Sequence, residues 1–372
     1  MSSAGWQDSY GDPELVRRLL ARLESMVTRP LRLMEVCGTH TMALFETGLR
    51  PLLSERGVEL VSGPGCPVCV TAQADLDHAF AVAAEPDVTL ATFGDMIRVP
   101  GTRASLGRLK AEGADVRIVY SALDSVKLAE KLPERRVVFL AVGFETTVPS
   151  IAYALQAAEE AKLDNLYIFP LHKTIPVPLT WLAGHPELRL DGFMCPGHVS
   201  VVIGARAYEP VARERGKPCA ITGFEPVDIL RGVLELAEQV ADGRSEVANM
   251  YERVVRPDGN PAALELITRY FEPAGACWRG IGELPDSGLE LRGQWRRRDI
   301  RTQLPEFTPL ELDPALMACR CGEVLIGKIQ PPECACFGTS CTPAHPLGAC
   351  MVSQEGSCRA YHKYHGIGGG DG

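Results

Sequence analysis

The chain lacks any run of eighteen apolar residues, the length a helix needs to cross a bilayer, and its polar start does not read as a secretory signal, so none is expected. It also lacks a surplus of positive charge: 38 Lys and Arg stand against 47 Asp and Glu, for a net charge of -9. That balance argues against nucleic acid or an anionic membrane surface as a partner. The basic cluster of note is Trp295-Arg296-Arg297-Arg298, which reads as a solvated face or a set of partners for carboxylates. Phosphate-binding loops are missing too. Between residues 31 and 243 there is neither GxGxxG nor GxxxxGK, so dinucleotide or ATP binding has no local support there.

What the chain does have is cysteine. Of thirteen, seven lie between Ala318 and Gly366: Cys319, Cys321, Cys334, Cys336, Cys341, Cys350 and Cys358. The intervening residues are rich in Gly, Pro, Ser and Thr and have little apolar periodicity, so something other than a hydrophobic core must hold this segment. Disulfides are disfavoured without a secretory signal. Zinc knuckles use two close CxxC-type pairs, whereas this segment offers two CxC pairs and then widely spaced single cysteines. The pattern fits an iron-sulfur cluster better than a knuckle, because loops with long spacers let thiolates converge from different directions. On spacing alone the cluster reading, the zinc reading and that of disulfides or free thiols all stay open.

With 372 residues and 46% apolar content, the chain is long enough for two or three domains with real cores. After a polar start, Asp12 and Pro13 read as the cap and first turn of a helix. From Leu31, short apolar runs alternate with helical patterns. LRLMEV, VELVS, DVTLATF and VRIVYSA predict strands, with helices over 71–85 and 121–132. VVFLAV, NLYIFPL, LDGFMC and PCAITGF repeat the pattern about one hundred residues on. The fold class expected is α/β: two tandem, similar parallel-sheet domains plus a Cys-rich C-terminal iron-sulfur domain. The expected boundaries are 1–30 for an N-terminal helical segment, which the family resemblance set out below implies packs on the C-terminal domain, 31–132 and 133–243 for the α/β domains, and 244–372 for the last.

In parallel sheets, functional groups gather on loops at the carboxyl ends of strands. Those loops carry Cys37-Gly38-Thr39-His40-Thr41, Gly63-Pro64-Gly65-Cys66-Pro67-Val68-Cys69, Gly143-Phe144-Glu145, Pro170-Leu171-His172-Lys173, Cys195-Pro196-Gly197-His198 and Gly223-Phe224-Glu225. Thiol, imidazole and hydroxyl groups at such places are suited to metal and redox chemistry. Cys66 and Cys69 form a CxxC in a Gly/Pro-rich turn before a helix, which favours a redox disulfide or a metal pair over a structural accident. Cys37 alone is as readily a small buried hydrophobe. Cys195 with His198 is half a metal site at most, Cys219 and Cys277 read as packing residues, and Glu145 and Glu225 are candidates to orient His172 or His198. Lys173 reads as a group that polarises an anion or as a surface lysine.

CGTHT, GPGCPVC, GFETT, PLHKTIP, MCPGHVS and TGFEP, followed by CTPAHPLGACMVSQEGSCRAY, occur in that order, and from about Leu31 the chain resembles the HypD family of hydrogenase maturation factors. The resemblance implies two α/β domains and a third, formed from the terminal regions around a [4Fe-4S] cluster. It implies a scaffold rather than a conventional turnover enzyme, one that assembles the Fe(CN)2CO moiety of [NiFe]-hydrogenases in the cytoplasm. Cys37 would hold the transient iron together with a cysteine of a HypC-like small chaperone, with His40 beside it. Cys66 and Cys69 would be the redox pair, and a HypE-like protein the cyanide donor. The family spacing C-x14-C-x6-C-x16-C is met by Cys319, Cys334, Cys341 and Cys358 as cluster ligands. Cys321 is an alternative first ligand, and Cys336 and Cys350 are left over. The relay expected carries electrons from the cluster through Cys66 and Cys69 toward Cys37. Two competing readings are a stand-alone iron-sulfur thiol-disulfide oxidoreductase, which leaves CGTHT without a purpose, and a zinc-based structural module.

Overall fold

In a computed structural model of the chain, which describes residues 12–311 and 314–364, two parallel-dominated sheets form the framework. The polar start at residues 1–11 lies outside the described residues. All eight expected strands form: β1 (Leu31–Glu35), β2 (Val58–Ser62), β3 (Val88–Thr92), β4 (Asp115–Ile118), β5 (Arg136–Gly143), β6 (Leu166–Lys173), β7 (Gly192–Pro196) and β8 (Cys219–Thr222). β3, β7 and β8 are buried along their whole length, as apolar runs covered on both faces by helices must be. The expected helices span Gln73–Ala83 and Ala122–Lys131, the second opened by a Ser121/Asp124 capping box. Three further strands were not expected: β9 (Val247–Asn249), β10 (Phe271–Trp278) and β11 (Gly282–Leu291).

The first sheet has the order β2-β1-β7-β8-β9 and is parallel throughout. The second has the order β10-β11-β6-β5-β3-β4, parallel except for the β10–β11 hairpin, which adds antiparallel to β6. Each sheet therefore draws strands from both sides of residue 132, and strands beyond residue 244 complete both. This interleaving replaces the contiguous units expected at 31–132, 133–243 and 244–372. An apolar run marks a strand as buried, but the edges of parallel strands are alike and do not name their neighbour.

The N-terminal helix, Pro13–Met26, is capped by Asp12, whose side chain accepts the Glu14 N–H at 2.8 Å. Its Leu20 and Leu23 pack with Ile229, Leu230 and Val233 of helix Pro226–Ala241, and Arg22 reaches Glu238 at 3.4 Å. It covers the first sheet rather than the cysteine-rich segment. The reason is physical: an amphipathic helix buries its stripe against another long apolar face, which the cysteine-rich loops do not have. Those loops carry short helices at Cys321–Leu325, Ala349–Val352 and Ser357–Tyr364, and their cysteines share one apolar core with Cys66, Cys69 and Val142. Arg296 finds the carboxylate of Glu272 at 2.6 Å, and buried Arg298 donates to the Leu166 carbonyl at 3.1 Å. Among the described residues no helix is long and apolar enough to cross a membrane.

Candidate functional site

Chain order reverses between β1 and β7 in the first sheet and between β3 and β5 in the second, and ligands bind such sheets in the crevices outside the strand carboxyl ends at these points. The first crevice holds Cys37 and the Pro196–His198 loop; the second holds Asp95 and Glu145. One turn of the cysteine-rich segment closes on both. Ser353 Oγ donates to Asp95 Oδ2 at 3.4 Å, and Thr39 Oγ1 donates to Glu355 Oε1 at 3.3 Å. Gly38 lies so close to Glu355 that a Cβ at Gly38 would overlap the Glu355 Cβ.

Cys37 is the N-cap of helix Gly38–Glu46. The backbone N–H groups of Thr39 and His40, free donors of a helix start, lie near its sulfur and favour the thiolate. Burial nevertheless pushes the Cys37 thiol up to about 12, and nearby Glu355 adds to the rise. Behind it stands Glu35, 1% exposed, whose Oε1 accepts the Thr41 hydroxyl at 2.5 Å and whose Oε2 accepts the Cys37 N–H at 3.3 Å. Burial raises Glu35 to about 7. His40 is fully buried, with Nε2 at 3.0 Å from the Gly223 carbonyl and 2.9 Å from Thr222 Oγ1. A carbonyl only accepts, so Nε2 carries the proton and the Nδ1 lone pair is left without a partner among the described residues. Burial lowers His40 to about 4. The ring thus ties the loop after β1 to the loop after β8 and packs 4.8 Å from Phe224, which also meets exposed His198 at 4.2 Å.

Cys66 caps the short helix Pro67–Val70 after β2, accepts the Cys69 N–H at 3.2 Å and forms a disulfide with Cys69 across a Cα–Cα distance of 5.2 Å. Gly65, next to it, lies against Cys37. A Cβ at Gly65 would overlap the Cys37 nitrogen, and the Gly38 N–H donates to the Gly65 carbonyl at 3.3 Å. The pair and Cys37 therefore sit on touching loops.

Among the described residues no three His, Cys, Asp or Glu converge as ligands of a single ion. The C-terminal cysteines meet instead in pairs. Cys319 shares a hydrogen bond with Cys321, which raises the first thiol and lowers the second, and Cys350 and Cys358 do the same with Cys358 raised. Burial raises the Cys341 thiol, and the neighbouring thiols of Cys319 and Cys334 add to the rise. Gly348 keeps this space open, since a Cβ there would stand 2.8 Å from Cys319 Sγ and 3.0 Å from Cys321 Sγ. The Leu347 N–H points at Cys341 Sγ from 3.4 Å. A sulfur-lined cradle with backbone donors fits a polynuclear group whose irons each take one thiolate, and fits less well a tetrahedral zinc needing four donors at one point. Cys336 Sγ is turned to the Ala318 carbonyl at 3.5 Å, while Cys319 and Cys321 both flank the cradle.

Other expectations fare unevenly. Cys195 is buried beside Cys219 rather than paired with His198. Cys277 is exposed on β10, not a packing residue, because alternate positions of this strand face solvent. Glu145 is spent on the Ile175 N–H at 2.9 Å and pushed up to about 7 by burial, and Glu225 is exposed. Neither orients His172, whose two ring nitrogens lack partners among the described residues and which burial pushes down to about 3. Lys173 is no surface lysine: it is 2% exposed and 3.9 Å from Asp75. Glu35, Gly348 and Glu355 were not singled out from sequence. A charged residue closing the apolar run LRLMEV was the one available signal, for Glu35.

Comparison with known proteins bears on the whole chain. The sequence model of the HypD family, described as "Hydrogenase formation hypA family", matches residues 14–365. The hydrogenase maturation factor HypD of Escherichia coli K12 is 44% identical over 366 residues, covering 96% of this chain and 97% of its own. That of Rhodobacter capsulatus is 43% identical over 367 residues, with 96% and 97% covered, and that of Cupriavidus necator 42% over 368 residues, with 96% of each. The order and spacing of the cysteine loops are thus set in a chain that belongs, over nearly its full length, to the HypD family.

Proposed function

We propose that this protein is a cytoplasmic hydrogenase maturation factor on which the Fe(CN)2CO moiety of [NiFe]-hydrogenase is assembled. Iron is the substrate, held by Cys37 together with a cysteine of a HypC-like chaperone, with cyanide delivered by a HypE-like donor. The observation that carries this reading is the contact of three cysteine sites around one loop: Gly65, beside Cys66, lies on the Cys37 backbone, and Glu355 of the cysteine-rich segment closes over Gly38. Low-spin iron carrying cyanide and carbon monoxide needs a soft thiolate and exclusion of water and oxygen. Cys37 is 7% exposed, and its buried thiol would release its proton as the cation binds.

Cys319, Cys334, Cys341 and Cys358 would hold a resident [4Fe-4S] cluster, with Cys321 able to stand in for Cys319. When bound, such a cluster supplies single electrons. The Cys66–Cys69 disulfide is a two-electron group, taking up two electrons and two protons to give two thiols. Its sulfurs belong to residues 3% and 0% exposed, which disfavours an oxidoreductase that must admit a protein disulfide. The test is anaerobic mixing with the HypC-like partner and, separately, with disulfide substrates. The expected result is a complex of fixed stoichiometry and no multiple-turnover reduction; sustained turnover would replace the scaffold with an oxidoreductase.

A further inference from the structure

The tip of the β10–β11 hairpin, which none of the motifs above includes, is wedged between the CxxC turn and the cysteine-rich segment. Trp278 forms an isolated antiparallel bridge with Thr71, and the Arg279 N–H donates to the Val70 carbonyl at 2.8 Å. The Arg279 side chain then folds onto the same turn. Its Nε lies 3.1 Å from the Cys69 carbonyl and 3.2 Å from the Thr71 carbonyl, and Nη2 reaches Gln73 Oε1 at 3.3 Å. On the other side Gly280, at φ +87°, meets the backbone of Gly322, the neighbour of Cys321, where a Cβ would overlap the Gly322 carbonyl. A planar, permanently charged fork is the side chain best suited to hold two carbonyls at once, and a cation there meets the negative end of the short helix Pro67–Val70.

We propose that Arg279 is a positioning residue for the Cys66–Cys69 pair: it fixes the exit of the CxxC turn and keeps a positive charge beside it, which stabilises the thiolate formed when one thiol of the reduced pair gives its proton to solvent, and so raises the pair's reduction potential. This rests on the redox role given to the pair above. Stabilising the reduced form makes the disulfide a stronger oxidant. Arg279 touches no reacting atom.

The test is equilibration of the holoprotein, under anaerobic conditions, with glutathione buffers of known ratio. In that exchange the Cys66–Cys69 disulfide and two glutathione thiols give two cysteine thiols and one glutathione disulfide. The fraction reduced is read by alkylation and mass spectrometry, with iron content and thermal midpoint measured on the same samples. Arg279→Gln should lower the equilibrium constant for reduction about tenfold, or about 30 mV, whereas Arg279→Lys, which keeps the charge, should stay within about threefold of the parent. A residue that only braces the hairpin would lower the thermal midpoint in both variants without moving the constant. An Arg279→Gln constant within about twofold of the parent, or an Arg279→Lys constant shifted as far as Gln, overturns the proposal. A parent pair that stays oxidised even when dithiothreitol is added as a small mediator able to reach the buried disulfide overturns the redox assignment itself, a result distinct from an unshifted constant.

Discussion

Replacing Gly65 with Ala should part the CxxC turn from the Cys37 loop. The added methyl would overlap the Cys37 nitrogen and stand 2.6 Å from the Cys37 Cα and from the Val36 carbonyl carbon. All three are backbone atoms, so no side chain can swing aside. Overpacking a core typically costs about 1–3 kcal/mol, and with only backbone to yield the upper end, about 3 kcal/mol, applies. That is more than a hundredfold in an equilibrium constant, on the order of two steps of 1.4 kcal/mol. Gly94→Ala is the control, because the nearest atom its Cβ would meet is Ile118 Cγ2 at 3.8 Å, an ordinary contact. Urea unfolding followed by tryptophan fluorescence gives the stability difference, and the rate of Cys37 alkylation in the native protein reports loosening of its loop. Gly65→Ala should unfold at lower urea and alkylate faster than Gly94→Ala. A Gly65→Ala protein within about 0.5 kcal/mol of the control, the usual range for neutral surface changes, would refute the packing argument.

Gly348→Ala should cut the iron bound on anaerobic reconstitution while leaving far-UV circular dichroism unchanged, since its methyl enters the space beside Cys319 and Cys321; undiminished iron would show that the cradle lies elsewhere. His172→Leu removes a buried group whose two nitrogens have no partner among the described residues, and should be neutral or stabilising by about 1 kcal/mol at pH 7. Because His172 is depressed to about 3 in the fold from an ordinary 6.5, its contribution is present above pH 6.5 and lost as pH falls through 3, so the variant should lose stability less steeply over that window in melts run at several pH values. Glu35→Gln should be mild: the amide oxygen can accept the Cys37 N–H while its NH2 donates to Thr41 Oγ1, whose hydrogen turns to the Cys37 carbonyl at 3.4 Å. Glu35→Ala leaves the Cys37 N–H and the Thr41 hydroxyl without that acceptor and should cost about 2 kcal/mol in urea unfolding; equal losses in the two variants would contradict the assigned hydrogen bonds.

The eight central strands were legible because each is a short apolar run between Gly- or Pro-rich turns. The hairpin was not. β10 reads FEPAGACW, with Pro273 and Gly275 inside it and no apolar alternation, and β11 holds Pro285 and Asp286 at φ +55°. Such strands form because β6 offers an open edge, which is a tertiary fact. Sheet membership was hidden for the same reason. At the site, the Gly/Pro setting of Cys66 and Cys69 and the strand end before Cys37 could be read directly. The contacts that join them could not, because Gly38 meets Glu355, and Gly280 meets Gly322, only after the chain has returned from far along the sequence. Asymmetric burial of Cys195, Cys219 and Cys277 likewise follows from which face of which strand each occupies, and local composition does not encode it.

The central claim, that Cys37 holds the iron under assembly, is tested most directly by the infrared spectrum of this protein purified anaerobically with its HypC-like partner, beside a Cys37→Ala control. Cyanide and carbonyl stretches in the parent that vanish in the control are the predicted result. Stretches that persist in Cys37→Ala would place the iron on another residue, and their absence from the parent, with its iron-sulfur colour intact, would contradict the scaffold.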